Sequence, residues 1–289
     1  MNKITTAPDF PKFSLFVALL LAVSPFIACN NNSDKDNTST SGGEKTADNT
    51  PPLINYGVIR ELPHDTTSFT EGLLFHDGQL YESTGTEPNM PDSRRSLFGI
   101  VDPATGKIEK LAELDRSKYF GEGISFLHDK VYELTWTTGT GFIYDAKTFK
   151  KLGEFTIPVK EGWGMTTNGT DLIMSDGTSN VTWVDPVTFH PVRILGVTDN
   201  NGPVSNINEL ELIKGFLYAN QWQTNYILKI DTSSGKVVGR LDLTSLVEQT
   251  KNKFTGADVL NGIAYDSTSG KVYVTGKLWP NIYEIKFAL

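Results

Sequence analysis

A hairpin pattern that occurs five times along the chain constrains the fold more than any other feature. The clearest copy spans residues 119–136, where apolar Ile124 and Phe126 precede a His-Asp-Lys turn and Val131 and Leu134 follow it. Alternating apolar residues on both sides of a short polar turn are typical of two antiparallel strands. The other copies span residues 68–85, 162–177, 207–222 and 260–277.

A second pattern lies between the copies: a short apolar strand, an Asp, a small turn and a further strand. It occurs at Asp102, Asp145, Asp185 and Asp231. Two hairpins in each period of about 40–50 residues indicate a four-stranded propeller blade, and a single blade cannot bury its faces alone. The chain is therefore predicted to be all-β, a five-bladed β-propeller of four-stranded antiparallel blades.

The two ends of the repeat region indicate how the propeller closes. A strand over residues 54–62 precedes the first hairpin, and only one strand, residues 281–287, follows the last. We expect the N-terminal strand to complete the last blade, because this closure leaves no open sheet edge. Residues 244–251 are predicted to form a short helix between blades four and five.

The N-terminal segment is predicted to be a targeting signal rather than part of the fold. Lys3 and Lys12 precede an apolar run over residues 13–23 that is short for a membrane span. Residues 26–28 resemble a bacterial lipobox, so residues 1–28 are predicted to be a lipoprotein signal peptide and Cys29 the lipidation site. The protein would then be exported and anchored on the periplasmic or outer face of the cell envelope. The alternative is a conventional signal peptide in which Cys29 is incidental.

Composition sets the remaining boundaries. Residues 29–52 are almost free of apolar side chains and are expected to form a flexible tether, which leaves 53–289 as the propeller domain. Cys29 is the single cysteine, so no intrachain disulfide is possible. The net charge is −8 and no basic stripe occurs, so nucleic acid is not an expected partner. We expect a monomer that contacts the membrane only through its lipid.

The innermost strands of a propeller converge at one end of its central channel, and the residues at their ends are candidates for a site. The residues at the five strand entries are Glu71, Glu122, Trp163, Asn208 and Asn261. Those at the five exits are Gly85, Trp136, Gly177, Trp222 and Lys277. Apolar walls with a few convergent polar groups are typical of a small-ligand pocket. Gly121 and Gly123, on either side of Glu122, are expected to let a ligand approach the backbone.

These residues also lie in short motifs: Phe69-Thr-Glu-Gly72, Phe120-Gly-Glu-Gly123, Leu134-Thr-Trp136, Gly162-Trp-Gly164, Ile207-Asn-Glu-Leu210, Asn220-Gln-Trp222, Leu260-Asn-Gly-Ile-Ala-Tyr265 and Thr275-Gly-Lys-Leu-Trp279. The motifs resemble those of a known family, the plant and bacterial type of glutaminyl-peptide cyclotransferase. The resemblance implies a five-bladed propeller that converts the N-terminal Gln of a peptide into pyroglutamate with loss of ammonia. It also implies that Glu122 is the catalytic carboxylate and that the active site is lined by Glu71, Trp136, Trp163, Asn208, Trp222 and Lys277.

The residue types suit this chemistry. Glu122, with its pKa raised by burial among tryptophans, is predicted to move a proton from the attacking amine to the departing ammonia. Asn208, Lys277 or a Trp indole N–H is predicted to stabilise the oxyanion. The predicted substrate-binding residues are Glu71, Trp136, Trp163, Trp222 and Asn261.

Each assignment has a structural alternative. Trp163 and Trp222 could instead seal blade interfaces, which is the role expected of Trp183 and Trp279. Lys277 could be a solvated charge. Asn261 could cap a turn together with Gly262, because an Asn-Gly pair favours positive φ.

No metal or cofactor is predicted to be required. His76 and His128 lie in matching hairpin turns away from the central cluster, and no Cys/His spacing resembles a zinc site. Whether the fold binds a structural calcium ion is left open. Two other functions also stay open: a non-catalytic surface propeller that binds peptide or glycan ends, and a calcium-dependent propeller hydrolase such as a lactonase.

Overall fold

Five four-stranded antiparallel sheets follow one another along residues 50–289, the part of the chain that the computed structural model describes. The strands are β1 (Tyr56–Pro63), β2 (Thr70–His76), β3 (Gln79–Thr84), β4 (Leu97–Val101), β5 (Ile108–Glu113), β6 (Gly121–Leu127), β7 (Lys130–Thr135), β8 (Thr140–Asp145), β9 (Lys151–Thr156), β10 (Met165–Thr167), β11 (Leu172–Ser175), β12 (Asn180–Val184), β13 (Pro191–Gly196), β14 (Thr198–Asp199), β15 (Gly202–Pro203), β16 (Ile207–Ile213), β17 (Phe216–Gln221), β18 (Tyr226–Asp231), β19 (Val237–Asp242), β20 (Leu260–Asp266), β21 (Lys271–Gly276) and β22 (Asn281–Phe287). Blades one to four are β2–β5, β6–β9, β10–β13 and β16–β19, and blade five has the order β20-β21-β22-β1. The predicted five-bladed propeller is confirmed.

The N-terminal strand closes the ring as predicted. β1 pairs antiparallel with β22, with Leu62 opposite Ile282, so it forms the outer strand of the last blade. Helix α1 (Thr244–Lys253) lies between β19 and β20, where a short helix was expected. The small hairpin β14–β15 between blades three and four was not predicted.

The hydrophobic core lies between the blades. Five clusters of buried apolar side chains occur in the described residues, and each joins two blades that are adjacent in the ring. Trp183 belongs to the cluster between blades three and four, and fully buried Trp279 to the one between blades four and five. Both tryptophans therefore seal blade interfaces, as expected, and the fold depends on each blade covering its neighbours.

The chain contacts the propeller slightly before the predicted domain boundary. Pro51 is buried, and the Pro52 carbonyl accepts a hydrogen bond of 3.0 Å from the Arg240 backbone N–H on β19. The last two residues of the predicted tether therefore lie against blade four. The predicted signal peptide, Cys29 and the tether up to residue 49 lie outside the described residues. Within residues 50–289, no helix is long and apolar enough to cross a membrane.

A β-bulge interrupts the innermost strand in four of the five blades. The pairing register shifts between Thr70 and Gly72 in blade one. The corresponding shifts in blades two, four and five lie between Gly121 and Ile124, Ile207 and Leu210, and Leu260 and Ile263. Each bulge contains one of the predicted entry residues: Glu71, Glu122, Asn208 or Asn261. A bulge re-aims a side chain, so these four leave the normal alternation of the strand.

The glycines beside Glu122 serve packing rather than ligand approach, which corrects the expectation from sequence. A Cβ atom on Gly123 would lie 2.7 Å from the Trp163 carbonyl oxygen of the next blade. One on Gly121 would lie 2.7 Å from the Thr84 carbonyl oxygen of the preceding blade. Because both positions lack Cβ, blade two fits closely between its neighbours.

Candidate active site

A repeated backbone hydrogen bond brings the entry and exit residues of the inner hairpin together in four of the five blades. In four blades the exit residue donates its N–H to the carbonyl two residues before the entry residue. These bonds run from Gly85 to Phe69, Trp136 to Phe120, Trp222 to Asn206 and Lys277 to Val259, at 2.8–3.1 Å. Because the geometry repeats, the eight entry and exit residues of these four blades lie near one end of the channel.

A cavity of about 340 Å³ opens at this end of the channel. Eight predicted positions line it: Glu71, Gly85, Glu122, Trp136, Trp163, Asn208, Trp222 and Lys277. The structure therefore gathers both carboxyls, the lysine, one amide and three tryptophans of the sequence-based site around a single volume.

Asn261 is the predicted substrate-binding residue that the structure places elsewhere. It is fully buried and is absent from the cavity lining. Its Nδ2 donates to the Thr70 carbonyl at 2.9 Å and lies 3.5 Å from a Glu71 oxygen. Gly262 beside it has the positive φ expected of this Asn-Gly pair, +117°, but the pair lies in the bulge of β20 and not in a turn. Asn261 positions the Glu71 segment from behind the cavity and does not contact the cavity space.

Lys277 forms a buried ion pair with Glu71. The ammonium lies 2.7 Å from one Glu71 oxygen and 4.5 Å from the centre of the Phe69 ring. Burial raises the pKa of Glu71, and the Lys277 charge opposes that rise. The alternative of a solvated Lys277 is wrong, because 6 % of the residue is exposed.

Glu122 faces the cavity as a buried carboxyl next to a second carboxyl. Burial raises its pKa well above the usual range, and the Glu71 charge raises it more than the Lys277 charge lowers it. A hydrogen bond links the Glu122 and Glu71 carboxyls at a site that excludes most solvent, so the proton affinity of each depends on the other. Such a carboxyl can both give and receive a proton near neutral pH.

The Asn208 amide faces the same cavity. The residue is 3 % exposed, and its Oδ1 has no hydrogen-bond partner among the described residues. The Asn208 backbone is fixed, because its carbonyl accepts a 2.7 Å hydrogen bond from the Ser175 hydroxyl. A buried polar atom without a partner is costly, so this amide is suited to bind a polar ligand.

The aromatic walls are held by a residue that the sequence analysis did not identify. One oxygen of Glu161 accepts the indole N–H of Trp136 at 2.8 Å and that of Trp163 at 3.1 Å. Trp163 in turn meets Trp222 edge-to-face, with ring centres 5.4 Å apart. The Glu161 carboxylate thus fixes two walls contributed by different blades.

Two exit glycines make room for these rings. Gly177 has a φ of +75°, and a Cβ atom there would lie 2.5 Å from the Trp163 ring. A Cβ atom on Gly85 would overlap the Phe120 ring, which packs edge-to-face on Trp136 at 5.9 Å. The glycines at these positions therefore admit the aromatic walls of the cavity.

Nine further residues line the cavity, and none was predicted. They are Phe69, Thr86, Glu87, Met90, Arg94, Phe120, Asp258, Val259 and Gln223. Phe69 and Phe120 stand two positions before an entry glutamate in matching repeats, a signal that the repeat alignment contained. Glu87, Met90 and Arg94 belong to the long β3–β4 connection, which has no counterpart in the repeat.

The described histidines lie away from the cavity. His128 is exposed, as expected, but His76 is half-buried and stacks on Phe126 with ring centres 4.0 Å apart. His64 is buried in an ion pair with Glu82. No group of three or more His, Cys, Asp or Glu side chains in residues 50–289 is arranged to hold a metal ion.

Comparisons with known proteins agree with this architecture. A family model described as glutamine cyclotransferase matches residues 31–287. The chain is 40% identical over 231 residues to a glutaminyl-peptide cyclotransferase of Arabidopsis thaliana, covering 79% of this chain and 70% of the relative. It superposes on the crystal structure of Myxococcus xanthus glutaminyl cyclase with a TM-score of 0.73 and 33% identity, covering 82% of this chain and 98% of that chain. From its repeats, its propeller and these matches, the chain belongs to the glutamine cyclotransferase family.

Proposed function

We propose that this protein is a glutaminyl-peptide cyclotransferase that converts the N-terminal Gln of peptides and proteins into pyroglutamate and releases ammonia. In reaction class it is an acyltransferase that acts within one substrate molecule. The observation that carries the proposal is Glu122, a buried carboxyl of raised pKa that faces an aromatic-walled cavity beside Asn208. Family membership supports the same activity.

Glu122 supplies the proton transfers. The α-amine of a peptide has a pKa of about 7.7–8.0, so a carboxylate of raised pKa can accept its proton and leave a neutral nucleophile. The amine nitrogen then bonds to the side-chain amide carbon, and the C=O electron pair moves to oxygen. Glu122 gives its proton to the leaving nitrogen, the C–N bond breaks, and Glu122 takes the extra proton of the attacking nitrogen. The oxyanion electron pair re-forms the C=O bond as ammonia leaves, and one proton has moved between the two nitrogens. Glu122 returns to its carboxylate form by passing the remaining proton to ammonia or water.

Asn208 and Trp222 are the groups best placed to stabilise the oxyanion. The Trp136 and Trp163 indoles donate to Glu161, and Lys277 is paired with Glu71. Of the donors expected from sequence, the Asn208 amide and the Trp222 indole line the cavity without a carboxylate partner among the described residues. The N–H of either group can donate to the developing oxyanion.

Lys277 and the aromatic residues prepare the site. The Lys277 charge opposes the rise in the pKa of Glu71 and so favours its charged form, and that charge raises the pKa of Glu122. Trp136, Trp163 and Trp222 wall the cavity and limit water, which favours attack by the substrate's own amine over hydrolysis.

We propose that the reaction requires no metal or cofactor. The proton shuttle and the oxyanion donor are both side chains of the chain itself, so the mechanism needs no external Lewis acid. Turnover that persists in a strong chelator supports this proposal, whereas loss of turnover that calcium or zinc restores contradicts it. A structural calcium would appear in the same experiment as a loss of thermal stability.

We propose further that the protein is exported as a monomeric lipoprotein. The basic start, the apolar run and the lipobox-like residues before Cys29 support this localisation. Metabolic labelling with a radioactive fatty acid tests it, because the wild-type chain should carry label in the membrane fraction and Cys29→Ser should not. Label on the Cys29→Ser chain would contradict the assignment.

The activity itself is tested by incubating the purified protein with a Gln-initiated peptide and following ammonia release together with the 17 Da mass loss expected from expulsion of NH₃. An Asn-initiated peptide and an N-acetylated Gln peptide serve as controls and should not react. No ammonia from a folded protein, with binding of the same peptides, would favour the alternative of a non-catalytic peptide-binding propeller.

A further inference from the structure

Arg94 lines the cavity but has no role in the proposed reaction. It is half-buried and lines the cavity from the β3–β4 connection. Its side chain contacts the Met90 sulfur at 3.6 Å and lies 5.9 Å from the centre of the Phe69 ring. Among the described residues, no carboxylate lies within ion-pair distance of its guanidinium, although Glu87 and Asp258 also line the cavity.

The neighbouring arginines differ from Arg94 in this respect. Arg95 pairs with Glu113, and Arg116 pairs with Asp92. Arg116 also donates to the Pro88 carbonyl at 3.0 Å and to the Met90 carbonyl at 2.6 Å, which anchors the connection that carries Arg94. An anchored loop thus holds a partly desolvated guanidinium at the cavity without an anion, and such a group gains most from an anionic ligand.

The position of Arg94 relates it to the reacting groups. The Lys277 ammonium lies 4.5 Å from the same Phe69 ring centre and is bonded to Glu71, the hydrogen-bond partner of Glu122. A substrate whose amine and side-chain amide face Glu122 must direct its main chain toward the open end of the cavity. Two residues of extended chain span about 7 Å, so the second residue of a bound peptide can reach the part of the cavity that Arg94 lines.

We propose that Arg94 is a specificity residue that binds a substrate carboxylate located at the residue after the terminal glutamine. The inference rests on the proposed function and names the substrate class that this function prefers. The carboxylate is either the free C-terminus of a dipeptide or the side chain of an acidic second residue. The planar guanidinium can donate to both oxygens of either group.

The test measures kcat/KM for ammonia release with Gln-Ala, Gln-Ala amide and Gln-Glu amide. For the wild-type protein we expect at least one carboxylate peptide to exceed Gln-Ala amide by about tenfold, the effect of one charge-assisted hydrogen-bonded pair. Gln-Ala identifies the C-terminal source and Gln-Glu amide the side-chain source. The preference should shrink as salt rises, because the guanidinium is half-exposed.

Substitutions separate a binding role from a structural one. Arg94→Gln should bring the carboxylate peptides down to the value of Gln-Ala amide, and Arg94→Lys should keep part of the preference. Arg95→Gln, in the adjacent exposed position, should leave the preference intact. Equal wild-type rates for all three peptides, or a preference that survives in Arg94→Gln, would overturn the inference while leaving the proposed function standing. No ammonia from any of the three would overturn both.

Discussion

The Lys277 ammonium lies 2.7 Å from the Glu71 carboxylate, and both side chains are almost completely buried. Glu71 stands on the bulge of the first inner strand, and Lys277 follows the inner hairpin of the last blade. The pair therefore joins the two blades that meet where the ring closes. It also sets the charge next to Glu122, because an ionised Glu71 raises the pKa of Glu122.

Removing the Lys277 charge should cost stability as well as activity. We expect Lys277→Met to lower the free energy of unfolding by about 3–5 kcal/mol, since a buried carboxylate loses its partner. Lys277→Met combined with Glu71→Gln should recover most of that loss, because the uncompensated charge is gone. Urea denaturation at pH 7 measures both, and Lys271→Met on the surface serves as the control. Equal stability of the single and double variants would contradict the pairing.

Replacing Glu122 should stabilise the protein at high pH. Its folded-state pKa is raised above the unfolded value of 4.5, so the folded state binds more protons between these two values. Stability linked to this group is therefore lost as pH rises from about 4.5 through the folded pKa. Glu122→Gln stays neutral and should melt higher than wild type at pH 8, with little difference at pH 4. Thermal melts at both pH values decide this, and equal melting temperatures at pH 8 would show that Glu122 is not held in a charge-disfavouring site.

Replacing His64, which pairs with Glu82, should have the opposite effect from replacing Glu122: it should destabilise the protein, and more at low pH than at high pH. His64 Nδ1 lies 2.8 Å from the Trp279 carbonyl oxygen and Nε2 lies 3.0 Å from a Glu82 oxygen, an arrangement that favours a charged ring. Burial lowers the pKa of His64, but the Glu82 charge and hydrogen bonds raise it further, so the net shift is upward. Its contribution is complete below about pH 6.5 and is lost as pH rises through the folded pKa.

His64→Gln should therefore destabilise the protein more at pH 6 than at pH 9. The expected cost at pH 6 is about 3 kcal/mol, the lower end of the range for breaking a buried ion pair. Urea denaturation at the two pH values measures the difference, and His190→Gln on the surface serves as the control. A cost that is the same at both values would mean that the ring is neutral.

Replacing Glu161, which accepts the indole N–H groups of Trp136 and Trp163, should affect substrate binding more than the chemical step. Glu161→Ala removes the acceptor of two indole N–H groups, so the Trp136 and Trp163 walls lose their fixed orientation. We expect kcat/KM to fall by about tenfold, mostly through KM, with a red shift of tryptophan emission. Glu154→Ala, a surface residue of the preceding strand β9, is the matched control. A fall in kcat alone would instead place Glu161 among the reacting groups.

The repeat made most of the fold predictable from sequence. Each blade repeats the same hairpins, so aligned residues such as Glu71 and Glu122 had to lie at equivalent places around one axis. The contribution of Glu161 was hidden, because it depends on side chains from two blades and on a loop outside the repeat. The position of Asn261 was also hidden, because Asn261 lies in the bulge of β20 and its amide points to the Thr70 carbonyl and Glu71 instead of the cavity.

For the same reason, the separate roles of Asn208, Lys277 and the tryptophans could be assigned only from the hydrogen-bond geometry. Sequence alone offered all of them as oxyanion donors. Only the structure shows that Glu71 and Glu161 already accept from Lys277, Trp136 and Trp163. Residue type and spacing could not distinguish an occupied donor from a free one.

The most direct test of the proposed mechanism compares ammonia release from a Gln-initiated dipeptide by wild type and Glu122→Gln, with and without chelator. Glu133→Gln is the matched control, since Glu133 is a buried carboxyl of the same blade that lies outside the cavity. We predict that Glu122→Gln loses about 10²–10⁴-fold in kcat, the contribution of a general acid–base group, and that chelator and Glu133→Gln leave turnover largely intact. A folded Glu122→Gln protein that releases ammonia at close to the wild-type rate would contradict the account.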